Sequence, residues 1–276
     1  MRKKIIFLDI DGTLTVSGSN VPPESALKAI KLTQEQGNLV FLCTGRNYGM
    51  LSPLLKYGFD GYIGSSGGYV ACGDNVIYDC PMTDEQMTKA MNVLKNNGVY
   101  RTIESRDGAY TDESFKEFIK SKAQTSGNSE FLRWREQLEN SLSIKRMSEY
   151  DNQPVYKIVI MSPGIKNLKE PMEVLQDEFN FCIQEPGQLG IINGEVVNRK
   201  FDKGKGVEKV CEYLGIPLGD TYGFGDSMND IELLETTGVS VCMANGSEAL
   251  KKKANYICRS VEDDGIYKAF ERFELF

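Results

Sequence analysis

Apolar residues fall along this chain in two rhythms. Short uninterrupted runs, IIFL at 5–8, LVFLC at 39–43 and VSVCM at 239–243, have the length and continuity of strands buried on both faces. Between them lie longer stretches in which apolar residues recur three or four apart. Over 23–36, Ala26, Ile30 and Thr33 hold one helical face and Gly37 supplies the stop. A second helix is expected over 50–57, ending at Gly58. The alternation resumes towards the C-terminus. A helix opening near Lys203 carries Val207, Val210 and Leu214, a strand covers 221–224, a helix follows Met228, and NYIC precedes an amphipathic helix with Ile266, Phe270 and Phe273. Strands separated by helices of about 10 to 15 residues describe βαβ units and a parallel sheet.

The middle of the chain has a different character. A helix over 83–97 aligns Met87, Met91 and Leu94; then come the strand VYRTIES, two polar helices over 113–140, the strand VYKIVIM, a helix over 165–178 and the run NFCIQE. That order is α+β. The expected organisation is an α/β core built from 1–82 and 199–276, with a second domain, 83–198, inserted into it. SKAQTSGNS at 121–129 is expected to be a flexible loop, and no internal repeat is evident.

Composition narrows the picture. With 276 residues, 41% of them apolar and 26% charged, the chain is an ordinary globular one with room for a sizeable core. The net charge of -7, with no block of like charge longer than the lysines at 251–253, argues against nucleic acid or an anionic membrane as the main partner. The basic start is followed by only four apolar residues before Asp9, too few for a signal peptide. No apolar run reaches the length of a bilayer span. A soluble, cytoplasmic protein is expected. The seven cysteines form no CxxC pair and several lie inside apolar runs, which suits reduced, buried thiols. Histidine is absent altogether. Ser-His-Asp triads, phosphohistidine and histidine-ligated zinc are thereby excluded.

Four stretches could carry chemistry. FLDIDGTLT delivers Asp9 and Asp11 past an apolar run and breaks at Gly12. Strand alternation would put both carboxylates on one side, roughly 7 Å apart. Their repulsion, on the order of 2 kcal/mol at an effective dielectric near 20, asks for a cation, a proton or a solvated loop. The ligand spacing of a calcium loop is missing, which leaves a solvated strand end or a magnesium site with one carboxylate as nucleophile. LVFLCTGR puts Thr44 and Gly45 just past a strand, as a turn or as a ligand loop. Cys43 has Gly49 six positions on, where a cysteine-dependent phosphatase needs arginine. DKGKG at 202–206 opens a helix with a lysine and two glycines, choices that cost helix stability unless an anion is bound there. In GFGDSMND, Asp226 ends a strand and Asn229 and Asp230 fall in the first turn of a helix, where capping alone would also explain them. All four are expected at the C-terminal ends of strands in one parallel sheet, where open α/β folds bind ligands.

Asp9-Ile10-Asp11-Gly12-Thr13, Thr44-Gly45-Arg46, Lys203-Gly204 and Gly225-Asp226-Ser227-Met228-Asn229-Asp230 resemble the four ordered motifs of the haloacid dehalogenase superfamily of phosphohydrolases. The insertion resembles the C2-type cap of its Cof-like branch in length and placement, and VSVCMANGSEAL and VEDDGIYKAF resemble later stretches of that branch. The resemblance implies a Rossmann-like three-layer core with an α+β cap that sets substrate specificity. It implies a magnesium-dependent phosphatase acting on small phosphorylated metabolites, sugar phosphates or similar, through an aspartyl-phosphate. Asp9 would be the nucleophile and Asp11 the acid-base. Gly12, Thr44, Gly45, Lys203 and Asn229 would bind phosphate, while Asp9, Asp11 through its backbone carbonyl, and Asp226 would hold Mg2+. Arg46, Ser227 and Asp230 would support the site. Ser66 stands where many relatives carry Asn and is a candidate substrate contact. The expected assembly is a monomer or weak homodimer. A phosphotransferase or mutase remains an alternative, as does a phosphorylation-switched, metabolite-sensing protein, although receiver domains lack an acid two residues after the nucleophile.

Overall fold

The run IIFL forms β1 (Ile5–Leu8), buried at every residue. The chain continues through a helix Glu24–Glu35, β2 (Leu39–Cys43), a helix Tyr48–Leu55, β3 (Gly61–Gly64), and the hairpin β4 (Tyr69–Cys72) and β5 (Asn75–Asp79). Next come a helix Asp84–Asn96, β6 (Tyr100–Ser105), β7 (Ala109–Thr111), β8 (Ile144–Arg146), β9 (Val155–Ser162), a helix Lys169–Leu175, β10 (Phe179–Ile183) and β11 (Ile192–Asn198). The last part holds a helix Lys203–Leu214, β12 (Thr221–Gly225), a helix Ile231–Thr236, β13 (Val239–Cys242), β14 (Tyr256–Ile257) and a helix Gly265–Arg272. These elements come from a computed structural model that describes residues 2–115, 144–183 and 191–276. The loop expected at 121–129, most of the two helices expected over 113–140 and the end of NFCIQE lie outside the described residues.

The chain divides into two compact units, Met1–Cys80 with Phe201–Phe276, and Pro81–Lys200. The larger unit is built on an eight-stranded sheet in the order β14-β13-β12-β1-β2-β3-β4-β5. Pairing is parallel from β14 to β3 and antiparallel through β4 and β5. The chain winds outward from β1 in both directions, so the strand order switches beside it, and the ends of β1, β2 and β12 open onto one crevice. One face of the sheet packs Ile5, Phe7, Phe41 and Ile63 against Val207, Val210, Leu233 and Leu234 of two helices. On the other face the helices Glu24–Glu35 and Gly265–Arg272 meet, and Phe270 lies 5.5 Å from Phe224 between ring centroids. This is the expected three-layer, Rossmann-like arrangement.

The smaller unit carries a six-stranded sheet, β10-β11-β9-β6-β7-β8, antiparallel except between β7 and β8. Ile103, Ile158, Ile160 and Val196 pack with Ala90, Leu94 and Leu175 of its helices. The helix expected over 165–178 is shorter, with a single turn of 3-10 helix at Ile165–Leu168 before Lys169–Leu175. Pro171 explains the late start, because proline is tolerated only in the first turn. The β4–β5 hairpin was not expected either; its one sequence signal is the Gly73-Asp74 pair, with Gly73 at φ 55°. Among the described residues no helix is long and apolar enough to cross a membrane. None of the seven cysteines forms a disulfide among the described residues; five are buried, Cys80 is half-buried and Cys182 is exposed.

The costly residues at the start of the helix Lys203–Leu214 have a packing reason. Asp202 caps it by accepting from the Lys205 N–H at 2.7 Å. A Cβ on Gly204 would come within 2.6 Å of the Glu232 carbonyl oxygen and 2.4 Å of Thr236 Oγ1, and one on Gly206 within 2.6 Å of Ile63. These glycines let the helix lie close to its neighbours. Gly204→Ala, which on helix propensity alone should stabilise by about 1 kcal/mol, is therefore expected to destabilise by about 1–3 kcal/mol in urea unfolding. A gain in stability would refute the close packing.

Candidate active site

β1 stops at Leu8, and the Asp9 N–H reaches across to the Phe224 carbonyl at the end of β12, 3.0 Å away. The chain then turns back, with Leu14 N–H donating to Asp9 O at 3.1 Å and Thr15 N–H to Ile10 O at 2.9 Å. Asp11 therefore lies in a turn, outside the strand geometry on which the 7 Å spacing was reckoned. The two acids take different partners. Asp9, buried, accepts at 2.7 Å from Lys203 Nζ. Asp11 receives a forked pair from Arg46, Nε to Oδ2 and Nη2 to Oδ1, both at 2.7 Å, and a third bond from the Gly18 N–H at 2.7 Å.

Lys203 is 1% exposed and bridges Asp9 to Asp230, the latter at 2.5 Å. Asp230 is fully buried and is spent on support: its Oδ2 accepts the N–H groups of Asp226 at 3.0 Å and Ser227 at 3.1 Å. The lysine expected to meet an anion thus meets carboxylates of its own chain first. An ammonium has three donors, so one remains for a further acceptor. Carboxylate oxygens of Asp9, Asp226 and Asp230 lie within 4.8 Å of one another. Asp11, expected in the metal set, has its carboxylate turned to Arg46; its backbone carbonyl accepts no hydrogen bond among the described residues.

The electrostatics follow from this crowding. Burial, with Asp230 close by, pushes Asp9 up to about 8 against the pull of Lys203. Burial and Asp230 likewise push Asp226 up to about 6. Burial also strips water from Lys203, but Asp230 and Asp9 outweigh that and hold it well above its ordinary value. Burial works on Asp11 in the same upward sense, yet the hydrogen bonds from Arg46 and Gly18 prevail and keep its carboxyl below the usual range. One buried ammonium among three carboxylates leaves negative charge uncompensated. Asp226 Oδ1 and the Thr13 hydroxyl are both buried without a well-formed hydrogen bond among the described residues, although Thr13 is near enough to draw the Asp226 carboxyl down somewhat. An all-oxygen donor set with such an orphan fits a hard divalent cation.

The other sequence candidates gather around this centre to different degrees. Thr44, 2% exposed, uses its Oγ1 to accept the Arg46 N–H at 3.1 Å, leaving its own proton to donate. Gly45 lies within the same turn. Gly12 does not offer its N–H outward, since that group donates to Thr15 O at 2.8 Å. What Gly12 contributes is a φ of 84° and space, because a Cβ there would strike the Asp226 carboxylate at 2.4 Å. The N–H groups of Ile10 and Asp11, by contrast, have no acceptor among the described residues and are the loop's open donors. Asn229 is exposed, with Oδ1 accepting from Ser227 Oγ at 2.7 Å. Ser65 and Ser66 both have positive φ, 50° and 58°, a strained state for non-glycine residues. Their N–H groups hold the turn carrying Arg46, Ser65 to Arg46 O at 2.8 Å and Ser66 to Thr44 O at 3.0 Å.

Two contributors escaped the sequence reading. Asn245 Nδ2 donates to the Gly12 carbonyl at 2.8 Å, and Ser247 N–H to the Asp226 carbonyl at 2.8 Å. The stretch CMANGS therefore steadies both acid-bearing loops. Its only signal was a polar Asn-Gly pair at the end of a buried strand, which reads equally as a turn.

Comparison with known proteins agrees with the geometry. A sequence model of haloacid dehalogenase-like hydrolases matches residues 6–270. A Bacillus subtilis protein named "Putative phosphatase YkrA" is 27% identical, covering 100% of this chain and 99% of that one. A 5-amino-6-(5-phospho-D-ribitylamino)uracil phosphatase of the same organism is 24% identical over 95% of each. A solved phosphatase of the superfamily from Bacteroides thetaiotaomicron superposes with a TM-score of 0.81 at 19% identity, covering 99% and 96% of the two chains.

Lys203→Met should leave Asp9 and Asp230 buried without a counter-charge and cost about 3–5 kcal/mol of stability. Adding Asp230→Asn should recover part of that loss. Denaturant titration of the single and double variants checks both; additive losses would show that the pair is not coupled.

Proposed function

The chain belongs to the haloacid dehalogenase-like hydrolase family, and from that premise we propose that it is a magnesium-dependent phosphatase of small phosphorylated metabolites. The observation that carries this reading is the buried set Asp9–Lys203–Asp230 with Asp226 Oδ1 left without a well-formed hydrogen bond beside it. Asp9 and Asp226 through their carboxylates, and Asp11 through its carbonyl, would hold the ion. Bound there, magnesium would screen an anionic nucleophile from an anionic ester and stabilise charge on the transferring group.

The residues of the chain divide the chemistry among themselves. Asp9 attacks phosphorus in line; the bond from its carboxylate oxygen forms as the bond to the leaving oxygen breaks. Asp11, which the Arg46 fork favours as a carboxylate in this structure, must be protonated when the ester is bound; it gives that proton to the leaving oxygen, whose electron pair it meets, and the alcohol departs. Water then attacks the aspartyl-phosphate. Asp11, now a carboxylate, takes the water proton and is the acid again, and the bond between phosphorus and Asp9 breaks to return the Asp9 carboxylate and phosphate. Lys203, the Thr44 hydroxyl and the open N–H groups of Ile10 and Asp11 stabilise charge on the phosphoryl oxygens. Asp230 keeps Lys203 and the Asp226 loop in register. No histidine is needed at any step.

The smaller unit enters the chain between β5 and the helix Lys203–Leu214, the place of a C2-type cap in the resemblance, and its proposed role is to choose the ester. Two curated relatives carry phosphatase names. Sugar phosphates are the first class to try. A phosphotransferase would differ in passing the phosphoryl group to an added alcohol rather than to water.

Asp9→Asn should abolish phosphate release from an aryl phosphate, and chelation of divalent cations should do the same reversibly in the unaltered protein. Phosphate release across a panel of phosphorylated metabolites checks substrate class. Turnover that survives both Asp9→Asn and chelation would rule out the mechanism.

A further inference from the structure

Arg46 is more tightly built in than a turn residue requires. Besides its fork on Asp11, Nη1 donates to Asn20 Oδ1 at 2.6 Å and Nη2 to the Ser19 carbonyl at 3.1 Å. Its backbone is held at both ends, the N–H by Thr44 Oγ1 at 3.1 Å and the carbonyl by the Ser65 N–H at 2.8 Å. The side chain is 9% exposed, against 37% for Asp11. Asp11 in turn receives the Gly18 N–H. The pair thus ties the end of β2 to the segment 18–20 and fixes the plane of the Asp11 carboxylate. We propose that Arg46 is a positioning residue of the phosphatase reaction: its guanidinium fork aims Asp11 at the leaving oxygen and locks segment 18–20 alongside.

The proposal rests on the acid-base role assigned to Asp11 above. A planar fork fixes a carboxylate's orientation as well as its place, which a single ammonium cannot do. Proton donation to a departing alkoxide demands that orientation. An aryl phosphate, whose leaving group departs as a stable phenolate, demands it far less. A purely structural ion pair would affect both ester classes alike. The leaving group therefore separates the two roles.

The test compares an alkyl phosphate, such as a hexose phosphate, with p-nitrophenyl phosphate for the unaltered protein and for Arg46→Ala, Arg46→Lys and Asn20→Ala, with thermal melts alongside. A positioned general acid contributes about 10²–10⁴-fold. Arg46→Ala is expected to lower kcat on the alkyl ester by at least about tenfold more than on the aryl ester. Arg46→Lys, which keeps the charge and loses the fork, should show the same bias. Asn20→Ala, an exposed change that loosens only the anchor of Arg46, should show a smaller bias in the same direction. Guanidinium ion at low concentration should restore alkyl turnover to Arg46→Ala. Equal losses on both esters, no loss, or a gain on the alkyl ester would overturn the proposal. Asp11→Asn is the control: if it shows no leaving-group bias, the acid assignment fails and the role of Arg46 falls with it, whereas a bias in Asp11→Asn that is missing from Arg46→Ala overturns the role of Arg46 alone.

Discussion

A single buried cation among three carboxylates is the constraint around which the larger unit is organised. Lys203 joins the end of β1, through Asp9, to the turn after β12, through Asp230, and so ties three distant parts of the sequence at one point. Burying charges is expensive unless every partner is present. The surrounding sequence serves that need. Asp202 caps the helix that brings the lysine in, Gly204 and Gly206 let the helix close on its neighbours, and Gly67 at φ 105° lets the chain pass within reach of Asp202, where a Cβ would stand 2.1 Å from its carbonyl oxygen. Yet Asp226 has no ion-pair partner among the described residues, and its Oδ1 is buried without a well-formed hydrogen bond there. The proposed magnesium ion would supply a second cation.

The loop that follows β1 solves a related problem. Two carboxylates two residues apart would repel and titrate together unless something separates them. Here each is given its own cation, Lys203 for Asp9 and Arg46 for Asp11. The environments differ in kind: Asp9 is buried and pushed up, Asp11 half-exposed and held down. Environments that push two acids apart allow one fold to use them for different tasks.

The parallel core was legible because buried strands write themselves as unbroken apolar runs; IIFL, LVFLC and VSVC became β1, β2 and β13 within a residue or so. The motif residues were legible because acids, glycines and a lysine at strand and helix ends contradict local propensity. What the sequence could not reveal is where their side chains point. The fork between Arg46 and Asp11 spans 35 residues and has no local signature. The DKGKG stretch announced an anion for its lysine but not that the anions would be Asp9 and Asp230. Gly12 was expected at the phosphate through the close approach of its loop; that its own N–H donates to Thr15 and that it leaves space for Asp226 could not be read from the sequence. The serines at 65 and 66 gave no hint of positive φ, because only the turn they hold imposes it.

The proposed first task of the acid cluster is to hold a cation. The direct measurement is the thermal unfolding midpoint in buffer free of phosphate and divalent ions, then with increasing magnesium, for the unaltered protein and for Asp226→Asn. Ligand binding to the folded state alone must raise the midpoint. A magnesium-dependent rise that Asp226→Asn abolishes, together with a higher midpoint of the variant in metal-free buffer, is the predicted result. An unaltered protein indifferent to magnesium, or a variant that keeps the full rise, would contradict it.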